Sequence, residues 1–396
     1  MKVDAILNDL LTDVTPDMHK VRRKSLNASV SSLISGASLS VTSLGRNIKS
    51  NTSEKHQIKR SMRLCSNHHL HDEITLVYSK LCLKIIGQQP NPVILIDWSD
   101  LDPRKDLFLL RAAVAVDGRS LTLYDEVHPL STKEKPAVHR AFMNKLKSIV
   151  PVSCKPIIVT DAGFRVPWFK LIESLGWDYV GRVRNRTFCL NATDIDWHPV
   201  KTLYSQATTT AKSLGYYQMA QSNPFGCKMV IYRNKKKGRR DLTATGERSR
   251  NSNRSLSYAE REREPWLLAT SLSVGSNMAK RVVKIYKSRM QIEESFRDLK
   301  TGLNFNQSYA RKQKPIEVLL LIGTIAQYLL FLLGLTVRLL DKHRRYQANS
   351  VKGKSVLSYQ FIGLRAVQDR HLILDKNSIE LAINRIQTLI REWCFV

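Results

Sequence analysis

The chain has 396 residues, 43% of them hydrophobic, so it can bury a sizeable core and form two or three structural units. It carries 63 Lys and Arg against 34 Asp and Glu, a formal net charge of +29 spread along its whole length. This excess of positive charge favours nucleic acid as the partner over an acidic membrane surface, and over a role in solubility alone. The six cysteines include no CxxC pair and no zinc spacing, so they indicate reduced thiols in a cytosolic protein and not a disulfide scaffold.

Residues 1–85 are predicted to form short helices, and the acids within the first apolar stretch exclude a signal peptide. In "SEKHQIKRSMRLCSN" the apolar Ile58, Met62 and Cys65 share one face of a helix. The other faces carry basic residues: Lys55, Lys59, Arg60 and Arg63. Such a helix suits DNA binding in the manner of a helix-turn-helix, and a solvated basic face fits the same pattern equally well.

From Pro92 onward the pattern predicts a mixed sheet with helices packed on it. "VILID" and "PIIVTDAGF" are buried-strand runs that end in Asp97 and Asp161, and "DGR" at 117–119 predicts a hairpin between two further strands. Amphipathic helices are expected at 135–150 and 167–176, with another strand following at 177–184. We place Asp100 in a turn after the first strand.

The region from about 185 to 275 is strand-like but irregular, and it ends in the strand "PWLLATSL". Within it, residues 233–254 are rich in Lys and Arg and lack an apolar period. This stretch is interpreted as a loop, for which phosphate binding and simple solvation are both open.

The uncharged run Val318–Val337 is 20 residues long, which meets the usual length of a membrane span. Polar Thr324, Gln327 and Tyr328 interrupt it, and basic residues flank both ends, so a buried core helix is the favoured interpretation. The chain then ends in an amphipathic helix at 378–393, which suits either a dimer contact or packing on its own domain.

The segment "YKSRMQIEESFRDLK" at 286–300 contains an adjacent glutamate pair among basic residues. If it is one continuous helix with about 100° per residue, a single stripe beside the core face collects five residues: Tyr286, Arg289, Glu293, Arg297 and Lys300. Glu293 is therefore expected against the sheet and Glu294 in solvent.

Asp97, Asp161 and Glu293 together make a candidate metal site. Functional groups gather at the carboxyl ends of strands, and carboxylates brought close together need a neutralising cation. An all-oxygen set suits Mg²⁺ or Mn²⁺, which can activate a water or a 3′-hydroxyl on a phosphodiester. For each aspartate alone, a turn or helix cap explains the residue as well.

The spacing of Tyr286, Arg289, Glu293 and Lys300 resembles the YREK signature of insertion-sequence-four family transposases. "LIDWSD" at Asp97 and "VTDAGF" at Asp161 are similar to the blocks around that family's first two acids, and the likeness covers nearly the whole chain. Relatives often have tryptophan after the signature arginine, where this chain has Met290.

The resemblance implies a cut-and-paste DNA transposase that nicks a transposon end, forms and opens a hairpin, and transfers the strand to target DNA. The implied catalytic and metal-binding triad is Asp97, Asp161 and Glu293, with Mg²⁺ as cofactor and Mn²⁺ as a substitute. The implied DNA contacts are Tyr286, Arg289 and Lys300 on phosphates, Trp266 near a flipped base, and the basic N-terminal residues Arg46, Lys55, Lys59, Arg60 and Arg63. The partners would be transposon ends and target DNA, with a homodimer in the DNA complex.

The expected fold class is α/β: an RNase H-like mixed sheet with flanking helices, a strand-rich insertion and a helical N-terminal DNA-binding region. We expect a helical region at 1–85, a catalytic domain at 86–340 with its insertion at about 185–275, and a helical region at 341–396. The protein is expected in the bacterial cytoplasm, on the nucleoid when bound to DNA. The competing hypotheses are a DNA-binding regulator with an inactive transposase-like core and a membrane-anchored protein.

Overall fold

The computed structural model describes residues 3–102, 104–184, 187–234, 264–308, 310–348 and 356–394. Over these ranges the chain forms α-helices and β-strands in an α/β mixed sheet with flanking helices, and this confirms the predicted RNase H-like fold class. The chain divides into two compact units: unit 1 comprises Met1–Pro156 and Met290–Val396, and unit 2 comprises Ile157–Arg289. The three predicted domain segments follow other boundaries and stay a prediction.

The helices within the described ranges are α1 Val3–Val14, α2 Lys20–Ile34, α3 Val41–Arg46, α4 Glu54–Cys65, α5 His68–Ile86, α6 Pro136–Ile149, α7 Val166–Ser174, α8 Met278–Lys287, α9 Met290–Arg297, α10 Gln313–Leu339, α11 Tyr359–Gln368 and α12 Lys376–Cys394. The strands are β1 Val93–Asp100, β2 Leu107–Ala115, β3 Ser120–Pro129, β4 Ile157–Thr160, β5 Asp178–Val183, β6 Phe188–Asn191, β7 His198–Pro199, β8 Lys212–Met219, β9 Phe225–Tyr232 and β10 Trp266–Thr270.

In unit 1, β1, β2 and β3 form an antiparallel meander. Gly118 has φ +65 between β2 and β3, a conformation that glycine adopts without steric cost, so the predicted hairpin is confirmed. The prediction for Asp100 is wrong, because β1 continues past Asp97 and pairs Asp100 with Phe108. The ladder with β2 extends the strand beyond the apolar run that marks it in the sequence.

The N-terminal helices confirm the prediction of short helices before β1. Ser40 caps α3 by accepting a hydrogen bond from the Ser43 N–H at 3.3 Å, and Asn67 caps α5 by accepting from the Leu70 N–H at 2.9 Å. At Gly45, a Cβ atom would strike the backbone of Ile58, so α3 and α4 cross at a distance that only glycine permits.

Helix α10 is the core of unit 1. Its most apolar window is long and apolar enough to cross a membrane, with a mean hydropathy of 2.3, but all of that window is buried inside the protein. The helix thus has the burial expected of a core element and is no sign of a membrane anchor. Gly334 of α10 and Gly363 of α11 face the backbone of the opposite helix, so these two helices touch backbone to backbone.

Helix α12 packs on unit 1 itself. Ala382, Ile386 and Ile390 are buried, and the Trp393 indole N–H donates to the Val116 carbonyl at 2.5 Å. This is one of the two placements expected of the terminal helix, and a role in a dimer stays a prediction. The five cysteines with described side chains are buried and form no disulfide with one another: Cys65, Cys82, Cys154, Cys189 and Cys227.

Unit 2 contains a mixed set of strands. Strands β4 and β5 are parallel, whereas β5 pairs antiparallel with β10, followed by β9, β8, β6 and β7 in antiparallel order. The irregular strand-like region predicted from the sequence therefore forms β6 to β10, except for residues 235–263, which lie outside the described ranges. The basic stretch 233–254 falls almost entirely in that gap.

The segment 286–300 is not one continuous helix, and the stripe predicted from a continuous helix is wrong in its geometry. Helix α8 ends at Lys287, α9 begins at Met290, and a π-helical turn covers Asp298–Gly302. Ser288, which is 1% exposed, donates its hydroxyl to the Ile285 carbonyl at 2.6 Å at the end of α8. The predicted core face is confirmed, since Ile285, Ile292, Phe296 and Leu299 are buried.

Candidate active site

Three of the predicted site residues line one cleft in unit 1. Asp97 from β1, Glu293 from α9 and Lys300 from the π-helical turn surround a volume of about 450 Å³, together with Phe296 and Asn306. Two carboxylates from elements far apart in sequence thus reach the same opening. Asp161, Tyr286, Arg289 and Trp266 belong to unit 2.

Asp97 is held by its own strand and by the residue that follows it. Its Oδ1 accepts a hydrogen bond from the Trp98 N–H at 2.8 Å, and the Trp98 indole donates to His139 Nε2 at 3.2 Å. Burial and, to a smaller extent, nearby His128 together lower the pKa of His139 to about 4. His139 is therefore neutral at neutral pH and can accept the indole hydrogen bond that anchors the β1 segment around Asp97.

The two glutamates of α9 differ in surroundings, and the expectation that Glu294 faces solvent is wrong. The Glu294 side chain is 28% exposed and forms ion pairs with Arg119 at 3.2 Å and with Arg297. Arg119, from the hairpin between β2 and β3, also pairs with Asp298 at 2.7 Å. Glu293 is the exposed member of the pair and the one that lines the cleft.

Lys300 projects from an irregular part of the helix. A π-helical turn often marks a functional position, because it re-aims the side chains it carries. Burial lowers the pKa of the Lys300 ammonium, while the negative charge of Asp100 raises it. Lys300 is therefore half-buried at the cleft, near enough to Asp100 at the end of β1 to feel its charge.

In unit 2, Asp161 directly follows β4. Its Oδ1 accepts a hydrogen bond from the Gly163 N–H at 2.8 Å, which forms a tight turn at the carboxyl end of the strand. Tyr286 is buried, at 4% exposure, and the negative charge of Asp161 contributes to raising the pKa of its phenol. Burial raises the pKa of the Tyr286 phenol, whereas Arg289 and Arg182 lower it, so the hydroxyl stays protonated at neutral pH.

Trp266, at the start of β10, belongs to a row of aromatic rings. Its ring centroid lies 5.0 Å from that of Tyr286 in an edge-to-face arrangement and 5.7 Å from that of Tyr232. Lys287 places its ammonium 4.9 Å from the Tyr232 ring. Trp266 is half-buried, so part of its ring stays accessible beside the phenol of Tyr286.

Arg182 on β5 was missed by the sequence reasoning. Its guanidinium hydrogen-bonds Tyr286, and its buried Nε and one terminal nitrogen have no hydrogen-bond partner among the described residues. Burial lowers the pKa of Arg182. Buried donors of this kind cost free energy unless a ligand satisfies them. The only sequence signal is a basic residue inside the apolar strand pattern "YVGRV".

The basic residues of the N-terminal helices separate into two groups. Lys55, Lys59 and Arg63 are exposed at intervals of one turn along α4. Arg60 turns toward α2, where it donates to the Lys24 carbonyl at 2.9 Å, and Arg46 pairs with Glu54 at 2.8 Å. The exposed face of α4 is therefore a basic surface.

The donor chemistry of the cleft fits a divalent cation. Asp97 and Glu293 offer oxygen ligands on an accessible cleft, and oxygen ligands are what Mg²⁺ and Mn²⁺ prefer. Across the described ranges, no three His, Cys, Asp or Glu side chains are grouped closely enough to hold an ion between them. The shared site of all three predicted acids therefore stays a prediction.

The fold belongs to the α/β class, and a comparison with known families narrows that class. Residues 88–329, more than half of the chain, match the transposase DDE domain family. The chain belongs to this family and is a transposase, which implies DNA binding, and such transposases generally use divalent metal ions. No curated protein matches the chain.

Proposed function

We propose that the protein excises an insertion sequence and joins it to new DNA by cut-and-paste transposition: hydrolysis of the end, hairpin formation, hairpin opening and strand transfer. The observation that supports this most is the pairing of Asp97 and Glu293 on one cleft within a transposase DDE domain. The YREK spacing at 286–300 supports the insertion-sequence-four subfamily, and the sequence resembles the transposase of the tetracycline-resistance composite transposon.

Asp97, Asp161 and Glu293 are proposed as the catalytic acids that hold Mg²⁺, with Mn²⁺ as a substitute. When bound, the ions supply charge neutralisation and an activated water or 3′-hydroxyl at the scissile phosphate. The residues' own task is to present oxygen ligands. Asp97 is prepared for it by the Trp98 N–H, and Asp161 by the Gly163 N–H.

The cationic and phenolic groups are proposed to position the DNA backbone. Lys300 lines the cleft of unit 1. Tyr286 and Arg289, the other two residues of the YREK spacing with this proposed role, belong to unit 2. Arg182 is proposed as a further phosphate contact, because two of its guanidinium nitrogens have no partner among the described residues and can donate to a phosphate oxygen. An Arg182→Met variant should weaken DNA binding and reduce its salt dependence by about one phosphate contact. An unchanged salt slope would remove Arg182 from the interface.

Trp266 is proposed to pack against a base that leaves the stack during hairpin formation. An aromatic face is the natural partner for an unstacked base, and the half-buried ring is already held by Tyr286 and Tyr232.

Helix α4 is proposed to bind the transposon end through Lys55, Lys59 and Arg63, with Arg46 and Arg60 supporting from either side. Two ends need two active sites, so a homodimer is expected on DNA, in the bacterial cytoplasm.

The test is cleavage of the element's own end. Wild-type protein with Mg²⁺ should nick and then hairpin a duplex that carries this end, and Asp97→Asn should abolish cleavage while gel-shift binding persists. Asp72→Asn, an exposed aspartate on α5, is the matched control and should cleave normally. Cleavage by Asp97→Asn would remove Asp97 from the site. End binding by wild type without any metal-dependent nicking would favour the regulator with an inactive core.

A further inference from the structure

A fully buried ion pair lies beneath the cleft of unit 1. Arg111 on β2 donates to both carboxylate oxygens of Asp125 on β3, at 2.8 and 2.7 Å, and the two side chains are 0% and 1% exposed. Removing two charges from water costs more than such a pair usually returns in stability. A geometric role is therefore the better explanation for a bidentate pair in this position.

The same guanidinium reaches the helix that carries Glu293. Its remaining terminal nitrogen donates to the Ser295 hydroxyl of α9 at 2.9 Å, and its carbon lies 5.3 Å from the centroid of the Phe296 ring. A second tie comes from Gln291, whose side-chain oxygen accepts from the Val116 N–H at 2.9 Å. Helix α9 is thus fastened to the three-stranded meander by polar contacts on both sides of Glu293.

The strand register places Asp97 next to this pair. Asp97 lies directly opposite Arg111 in the β1–β2 ladder, and Arg111 lies directly opposite Asp125 in the β2–β3 ladder. Residues opposite each other in antiparallel strands project from the same face with adjacent Cβ atoms. Arg111 therefore lies between Asp97 and Asp125 in the sheet. Its bidentate hydrogen bonds go to Asp125, which does not line the cleft.

We propose that Asp125 and Arg111 are positioning residues: Asp125 holds the guanidinium toward Ser295 of α9, so that it keeps Glu293 in place without capturing Asp97. Without Asp125, the buried guanidinium would have Asp97 as its nearest carboxylate in the register. An Arg–Asp97 pair would then compete with a divalent cation for the same oxygens. This inference rests on the proposed function, because it assigns Asp97 to the ion.

The first test is Mn²⁺ binding, followed by the loss of the free-ion electron paramagnetic resonance signal, on wild type and Asp125→Asn. Asp125→Asn should need about tenfold or more Mn²⁺ for half-saturation, the size typical of a lost supporting contact at a metal site. DNA cleavage should show the same displacement in its Mg²⁺ dependence. Titrations are run well below the thermal unfolding midpoint of each variant, so that a folded protein is compared in every case.

A rescue separates this role from plain structural support. Arg111→Met combined with Asp125→Leu removes the competing guanidinium together with the carboxylate that holds it. Half-saturating Mn²⁺ should then return to within about twofold of wild type. Ser295→Ala removes only the tie to α9. It should lower the cleavage rate at saturating Mg²⁺ and change half-saturating Mn²⁺ by no more than about twofold, because the guanidinium stays on Asp125 and does not compete for Asp97.

The outcomes distinguish the two proposals. Wild-type protein that fails to cleave the matched end overturns the proposed function and this inference with it. Normal wild-type cleavage with an unchanged Mn²⁺ curve for Asp125→Asn overturns the role of the ion pair alone. A double variant as weak in Mn²⁺ binding as Asp125→Asn overturns it too, because removal of the competing charge would then have no effect.

Discussion

The candidate site residues of unit 1 and unit 2 have different surroundings. In unit 1, Asp97, Glu293 and Lys300 line an accessible cleft. In unit 2, Tyr286 is buried among Arg182, Arg289 and the Trp266 ring. Ligands for a hydrated ion must stay open to water, whereas groups that orient phosphates and bases gain from being held by packing before DNA arrives. We therefore expect the open carboxylates of unit 1 to bind an ion and the packed group around Tyr286 in unit 2 to position DNA.

The strongest way to break this contrast is to neutralise one carboxylate in each unit. Asp161→Asn should lower single-turnover cleavage about a thousandfold or more, as is expected of Asp97→Asn, because the loss of an ion ligand removes several kcal/mol of charge stabilisation. End binding should be retained in both, as measured by gel shift. If Asp161→Asn cleaves normally, the ion site belongs to unit 1 alone.

The two units should also differ in how they tolerate an added methyl group. Gly334→Ala would press against the Tyr359 backbone, which cannot move aside, and should lower the free energy of unfolding by about 3 kcal/mol. Gly181→Ala in unit 2 meets the buried Phe169 ring, which is a side chain and not backbone, so it should cost less, about 1 kcal/mol. Urea unfolding measures both, and equal losses would contradict the distinction between rigid and movable neighbours.

Mild acid should lower the free energy of unfolding of unit 1 before that of unit 2. The pKa of His139 is lowered to about 4 in the folded protein from an ordinary 6.5, so its contribution is complete above pH 6.5 and is lost as the pH falls toward 4. Between pH 7 and pH 5 the loss should be about 2 kcal/mol in urea unfolding. A His139→Gln variant should lack this slope, and amide exchange corrected for intrinsic rates should place the loss in β1 before β5.

The mildest expected effect concerns the aromatic row of unit 2. Trp266→Ala should slow hairpin formation about tenfold, since base stacking on an aromatic face is worth one to a few kcal/mol, while the first nick proceeds normally. Trp266→Phe keeps a flat partner and should restore most of the rate. Denaturing gels separate nicked from hairpinned ends, and equal slowing of both products would make Trp266 a general support of the site.

Local patterns were sufficient for most of the fold. Apolar runs and turn residues located β1, β4, the hairpin at Gly118 and the helices α6 and α7, because period and turn chemistry are local properties. The amphipathic pattern of 286–300 correctly identified its buried face. It did not reveal the break at Ser288 or the π-helical turn at Lys300, because a buried hydroxyl bond and tertiary packing override a regular helical period.

The sequence by itself determined three things: the class of partner, which is nucleic acid, the α/β pattern, and the acidic residues worth testing. Charge, periodicity and motif spacing are properties of residue order, so they can be read without a structure. Only the tertiary structure decided which glutamate lines the cleft. Arg119 and Arg297 form ion pairs with Glu294, whereas Glu293 lines the cleft that Asp97 also lines. Only the structure also revealed Arg182 and the Arg111–Asp125 pair, because a charge inside a strand has a meaning only through the partners that folding brings to it.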